Sequence, residues 1–202
     1  AIPIATALAQ SWNTVLIREI GTMVGEEMET FGVNLWLAPG MNIHRNPLCG
    51  RNYEYYSEDP LLTGRCAAAD TLGVQSVEGR GTTIKHFCCN NQEDNRMFSN
   101  SHVKERTLRD LYLRGFEIAV RESSPMAVMA SYNLLNGIHT CNSYELLQNV
   151  LRDEWGYEGA VMTDWYSSFE EVGFLGYNKV FKYPPASSRR CIYAGCDWQM
   201  PG

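Results

Sequence analysis

The sequence predicts an α/β fold: a parallel sheet with helices packed over it. Two observations carry that expectation. Short apolar runs alternate with amphipathic segments along the chain, at roughly 35–50 residues per unit, as in strands joined by helical crossovers. The runs also end in polar residues, most sharply in Gly159-Ala160-Val161-Met162-Thr163-Asp164-Trp165, where a buried strand stops at a carboxylate beside an indole. In parallel α/β folds, residues just past a strand's C-terminal end face the cleft where ligands bind. An Asp at that point equally suits the N-cap of a following helix.

Each element has its own signal. Leu16, Ile20, Met23, Val24, Met28 and Phe31 recur at three- and four-residue spacing, which predicts an amphipathic helix over residues 13–31. Val33 to Ala38 reads as a buried strand stopped by Pro39-Gly40. Asp59-Pro60 has the form of an N-cap followed by proline in the first helical turn, opening a helix that runs to Gly73. Thr82 to Phe87 is the second strand. Leu108, Leu111, Tyr112, Gly115, Ile118 and Ala119 mark the strongest helix, and Ala127 to Ala130 the third strand. Asn142-x-x-Glu145 resembles a capping box for a helix carrying Leu146, Leu147, Val150 and Leu151, with Gly156 past its end. The fourth strand is Ala160 to Thr163, and residues 166–190, with Pro184-Pro185, read as a loop.

The totals bound the function. A chain of 202 residues can bury one sizeable core, so one domain is expected. A net charge of −6 argues against nucleic acid or an anionic membrane as a partner. No segment approaches the length of a membrane-spanning helix. The chain opens Ala1-Ile2-Pro3, without Met, which suggests a processed or partial product. Its 7 cysteines are an odd number without Cys-x-x-Cys spacing, so buried free thiols and a cytoplasmic, reducing compartment are expected. The absence of an Asn-x-Ser/Thr sequon agrees.

Followed past their ends, the strands lead to polar clusters. The first leads to His44-Arg45 and then Gly50-Arg51-Asn52-Tyr53-Glu54; the second to Lys85-His86, with Asn90, Glu93 and Arg96 beyond. The third leads to Ser131-Tyr132-Asn133, the fourth to Asp164-Trp165. In one parallel sheet these groups converge on one mouth. Their mixture suits a polyol: Arg, Lys, His and Tyr donate to hydroxyls, while Tyr and Trp faces cover ring carbons. Each has a plainer reading as well. Lys85 and His86 could be held by a carboxylate, and Arg51 could pair with Glu54 or Glu58. Glu58 and Asp59 read as structural. No phosphate-cradling glycine motif occurs, and His44, His86, His102 and His139 lack a ligand spacing, so no metal or cofactor is expected.

Gly50-Arg51-Asn52-Tyr53-Glu54-Tyr55-Tyr56-Ser57-Glu58-Asp59-Pro60, Ile84-Lys85-His86-Phe87, Ala130-Ser131-Tyr132-Asn133 with Asn136-Gly137, and Val161-Met162-Thr163-Asp164-Trp165 together resemble the family 3 glycoside hydrolases. Ala194-Gly195-Cys196-Asp197 and Met200-Pro201-Gly202 extend the likeness to the end of the chain. The resemblance implies a (β/α)8 TIM-barrel-like domain, here incomplete, and retaining hydrolysis of β-linked glycosides, most often β-glucosides or oligosaccharides. It implies Asp164 as nucleophile, with Arg51, Lys85, His86, Arg96 and Tyr132 holding the sugar's hydroxyls and Trp165 walling the pocket. Arg51 and Lys85 would keep that carboxylate ionised.

The family's acid/base is usually a Glu in a second, sandwich-like domain, and a sugar-clasping Asp lies upstream of the residues matched here. The resemblance therefore implies a partial barrel domain, weak or inactive alone, with unpaired edges that favour association into oligomers. The N-acetylglucosaminidase branch, with an Asp-His pair after the Lys-His strand, is not matched by residues 88–100. Two other readings stand beside the glycosidase: a Schiff-base lyase using Lys85, and a degenerate sugar-binding domain without chemistry.

Overall fold

The computed structural model describes residues 1–168 and 182–201. Its elements alternate as the sequence leads one to expect. Two helices, α1 (Ala5–Gln10) and α2 (Thr14–Thr30), precede strand β1 (Leu35–Trp36). Helix α3 (Pro60–Val74) then leads to β2 (Gly81–Phe87) and a short β3 (Asn100–Ser101). The next helical rod has three parts: α4 (Glu105–Thr107), a π-helical stretch (Leu108–Leu113) and α5 (Arg114–Ser123). Strands β4 (Ala127–Ala130), β5 (Leu134–Leu135) and β6 (Ile138–His139) follow. A π-helix (Glu145–Glu154), β7 (Ala160–Met162) and α6 (Ser188–Ala194) complete the described residues.

Strands β1, β2, β4 and β7 form one sheet in that order, and every pair in it is parallel. This is the expected parallel α/β sheet, open among the described residues, as an incomplete barrel requires. A small second sheet, β3-β5-β6, lies in the loops beyond the strand ends and has no counterpart in the sequence reading. β2 and β4 are largely buried on both faces, which is why β4 reads as a continuous apolar run instead of an alternating one. Phe87 closes the core at the end of β2, meeting Phe116 and Trp155 edge-on with ring centroids 5.1 and 5.7 Å away.

The helices depart from expectation in instructive ways. Helix α2 buries Ile17, Gly21, Val24, Gly25 and Met28, whereas Leu16, Met23 and Phe31 of the expected stripe lie exposed. Two glycines turn the helix. A Cβ at Gly21 would sit 2.4 Å from the carbonyl oxygen of Asp70, and one at Gly73 would sit 2.2 Å from that of Arg18. Backbone-to-backbone packing of α2 on α3 therefore decides which face is covered, and larger hydrophobes rotate outward. Asp59 caps α3 as expected, its Oδ1 accepting from the Leu62 N–H at 2.7 Å, with Pro60 opening the helix.

The expected capping box at Asn142 is not formed. Ser143 Oγ accepts from the Leu146 N–H instead, and Asn142 spends its amide on Ser187 and the Cys191 sulfur. The first and fourth strands are shorter than expected, spanning Leu35–Trp36 and Ala160–Met162. Of the expected loop at 166–190, residues 169–181 lie outside the described residues, and 188–190 open α6. All 7 cysteines are free and buried. No helix among the described residues is long and apolar enough to cross a membrane.

Candidate active site

The C-terminal ends of β1, β2, β4 and β7 point to one side, and there they frame a cleft of about 680 Å³. Arg51, Lys85, His86, Arg96, Tyr132, Asp164 and Trp165, the residues singled out from the sequence, all line it. So do Leu37, Gly50, Tyr53, Glu54, Glu93 and Met129. His44, by contrast, serves the loop, its Nε2 lying 2.9 Å from the Tyr55 carbonyl oxygen. Asn133 and Ser131 also hold backbone, both bonding the Cys88 carbonyl.

Asp164 sits at the end of β7, on a segment fastened along both sides. β4 pairs with β7 on one side, and the chain from Asp197 to Met200 runs along the other. Asp197 Oδ2 accepts from the Val161 N–H and from Arg152, both at 2.7 Å. The Thr163 N–H donates to the Trp198 carbonyl, and the Met200 N–H to Thr163 Oγ1. The sequence-derived reading of Asp164 as a helix cap gains no support, since its Oδ1 accepts only the adjacent Trp165 N–H at 2.8 Å. The other oxygen, Oδ2, is buried without a hydrogen-bond partner.

Burial, leaving Asp164 only 5% exposed, raises its pKa above the ordinary carboxylate value. The Trp165 N–H, Arg51, the nearby Tyr132 hydroxyl and Arg96 oppose that rise but do not cancel it. Of the two cations expected to keep the carboxylate ionised, Arg51 acts in that direction, though burial outweighs it. Lys85 Nζ instead lies 3.3 Å from Oε2 of Glu54, whose other oxygen accepts from the Arg51 Nε–H. Glu54 thus ties two cations of the cleft together. Sequence reasoning offered it only as a partner for Arg51, because its reach to Lys85 exists only once β2 lies beside the loop after β1. An amine tied to a carboxylate donates hydrogen bonds; the arrangement does not favour Lys85 as a Schiff-base nucleophile.

Arg96 shows the same economy. Its guanidinium lies 4.5 Å above the Tyr132 ring centroid and pairs with Glu93 at 2.8 Å. His86, 1% exposed, has its Nε2 3.6 Å from Asp164 Oδ2. Burial, helped by Arg51, Lys85 and Arg96, presses its pKa well below the ordinary histidine value, which favours the neutral ring. Trp165 remains 47% exposed at the rim, an indole face open to a ligand. The cleft as a whole offers a buried anion with one free oxygen, surrounded by hydrogen-bond donors and an aromatic wall. Among the described residues no group of three or more His, Cys, Asp or Glu is placed to hold a metal ion.

Comparison with known proteins gives the same frame. The chain is 50% identical over 173 residues to a beta-glucosidase of Ruminococcus albus, covering 86% of this chain and 18% of that protein. It is 42% identical over 199 residues to an exo-alpha-(1->6)-L-arabinopyranosidase of Bifidobacterium breve, covering 98% and 26% respectively. Beta-glucosidase 3B from Thermotoga neapolitana, solved in complex with alpha-D-glucose, superimposes with a TM-score of 0.89 at 50% identity. That alignment covers 100% of this chain and 26% of the other. The chain thus spans about a fifth to a quarter of the length of these relatives. A family model described as the glycosyl hydrolase family 3 N terminal domain matches residues 1–202, and the chain belongs to that family.

Proposed function

We propose that residues 1–202 are part of the barrel domain of a retaining β-glycosidase, with Asp164 as nucleophile and terminal β-glucosides as the first substrate class. The observation that carries this reading is the free, buried Oδ2 of Asp164 at the base of a cleft lined by Arg51, Lys85, His86, Arg96 and Tyr132. Oδ2 attacks the anomeric carbon and the aglycone oxygen leaves, taking a proton from an acid. A covalent glycosyl ester forms on Asp164. Water, deprotonated by the same acid/base, then attacks that carbon and releases the sugar with its configuration retained.

The two carboxyl groups of such a pair stand about 5–5.5 Å apart. We assign the second to a sandwich-like domain of the larger polypeptide: within the cleft Glu54 is tied to Arg51 and Lys85, and Glu93 is paired with Arg96 through Oε2. The donors of the cleft hold the hydroxyls, and Trp165 covers the ring carbons at the rim. The arabinopyranosidase relative shows that family members differ in the sugar they take, so glucoside and arabinopyranoside belong in one assay. The test is the anomer first released by the full-length polypeptide, read by proton NMR before mutarotation. The β-anomer is expected from a β-glucoside. Initial release of the α-anomer would sink the retaining assignment.

A further inference from the structure

The ring of His86 is held from both ends, and the hold has a direction. Its backbone is clamped by Asn42: the His86 N–H donates to Asn42 Oδ1, and Asn42 Nδ2 donates to the His86 carbonyl, each at 2.9 Å. On the ring, Nδ1 lies 3.1 Å from the Tyr55 hydroxyl, which in turn lies 3.1 Å from Nδ2 of Asn90. An amide nitrogen only donates, so the Tyr55 oxygen accepts from Asn90. The single phenolic hydrogen is then left for Nδ1 of His86. Burial raises the Tyr55 pKa far above its ordinary value, so that hydrogen is always present.

The opposite arrangement, Nδ1–H donating to Tyr55, would leave the phenolic hydrogen without an acceptor on a residue that is 0% exposed. Turning the Asn90 amide over would leave its NH2 group where its unpartnered Oδ1 now lies, and buried N–H groups without partners are rarer than such carbonyls. The far side of the ring agrees. Nε2 faces the unpartnered Oδ2 of Asp164 at 3.6 Å, where a lone pair would oppose a carboxylate and an N–H would be attracted to it.

We propose that Tyr55, oriented by Asn90, is a positioning residue that fixes His86 as the Nε2–H tautomer, so that the cleft presents this imidazole as a hydrogen-bond donor beside Asp164. Its consequence for catalysis rests on the glycosidase reading; the tautomer itself does not. In that reading Nε2–H donates to a sugar hydroxyl, and a ring free to change tautomer would spend part of its time as an acceptor there.

The test is a long-range proton–nitrogen correlation spectrum of the full-length polypeptide labelled with nitrogen-15 histidine, with His86 assigned through His86→Asn. The expected spectrum has a protonated Nε2 and an unprotonated Nδ1. Tyr55→Phe, which removes only the hydroxyl, should mix the two tautomers and lower kcat/KM about tenfold, the effect of one lost hydrogen bond. A protonated Nδ1 in the unsubstituted protein would overturn the proposal, even if the variant fails to fold. So would a Tyr55→Phe spectrum that keeps the Nε2–H tautomer unchanged. Loss of the glycosidase reading would show separately, as an unsubstituted protein with the expected spectrum and no turnover.

Discussion

Oε2 of Glu54 lies 3.3 Å from Nζ of Lys85, joining the loop after β1 to the end of β2 across the cleft. The same carboxylate holds Arg51, so one anion sets the spacing of two cations that would otherwise repel each other. Both side chains are largely buried, and removing one partner of such a group leaves uncompensated charge. Glu54→Gln is therefore expected to lower kcat/KM about 10- to 100-fold, some 1.4–2.7 kcal/mol of transition-state stabilisation. Steady-state kinetics on an aryl β-glucoside checks it. Unchanged kinetics would mean that Glu54 does not position these cations.

The raised pKa of Asp164 has a direction that kinetics can read. The nucleophile must be ionised, so the acid limb of kcat/KM should lie above the ordinary aspartate range. Arg51 lowers that pKa, and replacing it with Gln should move the acid limb upward. A pH profile with an activated leaving group measures the shift. A limb that moves down, or stays fixed, would contradict the electrostatic account of the site.

Asp70 is a second buried carboxylate, 3% exposed in α3, with Oδ2 accepting from the Tyr56 hydroxyl at 2.7 Å and Oδ1 unpartnered. Burial pushes its pKa up to about 6, although the Tyr56 bond opposes the rise. A carboxyl raised on folding stabilises at low pH, and that contribution is lost as pH climbs from about 4 through about 6. Asp70→Asn mimics the protonated form. It should match the parent near pH 4 and exceed it at pH 8 by about 2–3 kcal/mol. Urea titrations at the two pH values test this. A stability difference that does not change with pH would exclude ionisation of Asp70 as its source.

Much of this arrangement was legible in the sequence, and the exceptions share a physical cause. β4 was readable because a short, wholly apolar run between Pro125 and Ser131 suits a buried strand of a parallel sheet. The cap at Asp59 was equally plain, since side chain, proline and helix are adjacent in sequence. Asp164, Arg51, Lys85, His86, Arg96, Tyr132 and Trp165 were singled out because the motifs that hold them resemble the family 3 glycoside hydrolases; they lie in the segments that follow the strands, and the topology gathers those segments. What was missed depends on contacts between distant segments. The buried face of α2 follows from glycines meeting the backbone of α3, which hydrophobic spacing cannot register. The reach of Glu54 to Lys85, and of Tyr55 to His86, spans 31 residues of chain in each case. The balance at Asp164 eluded the sequence for the same reason: charges can be counted along a chain, but burial cannot.

The central claim is that Asp164 is the nucleophile. Intact-mass spectrometry after incubation with an activated 2-fluoro-β-glucoside tests it most directly, because such a leaving group departs without an acid catalyst. Both the 202-residue chain and the full-length polypeptide should be treated, beside Asp164→Ala. The expected result is one glycosyl adduct on the full-length polypeptide, mapping to Asp164 and lost in the variant. An adduct on another carboxylate, or none on the full-length polypeptide, would contradict the assignment.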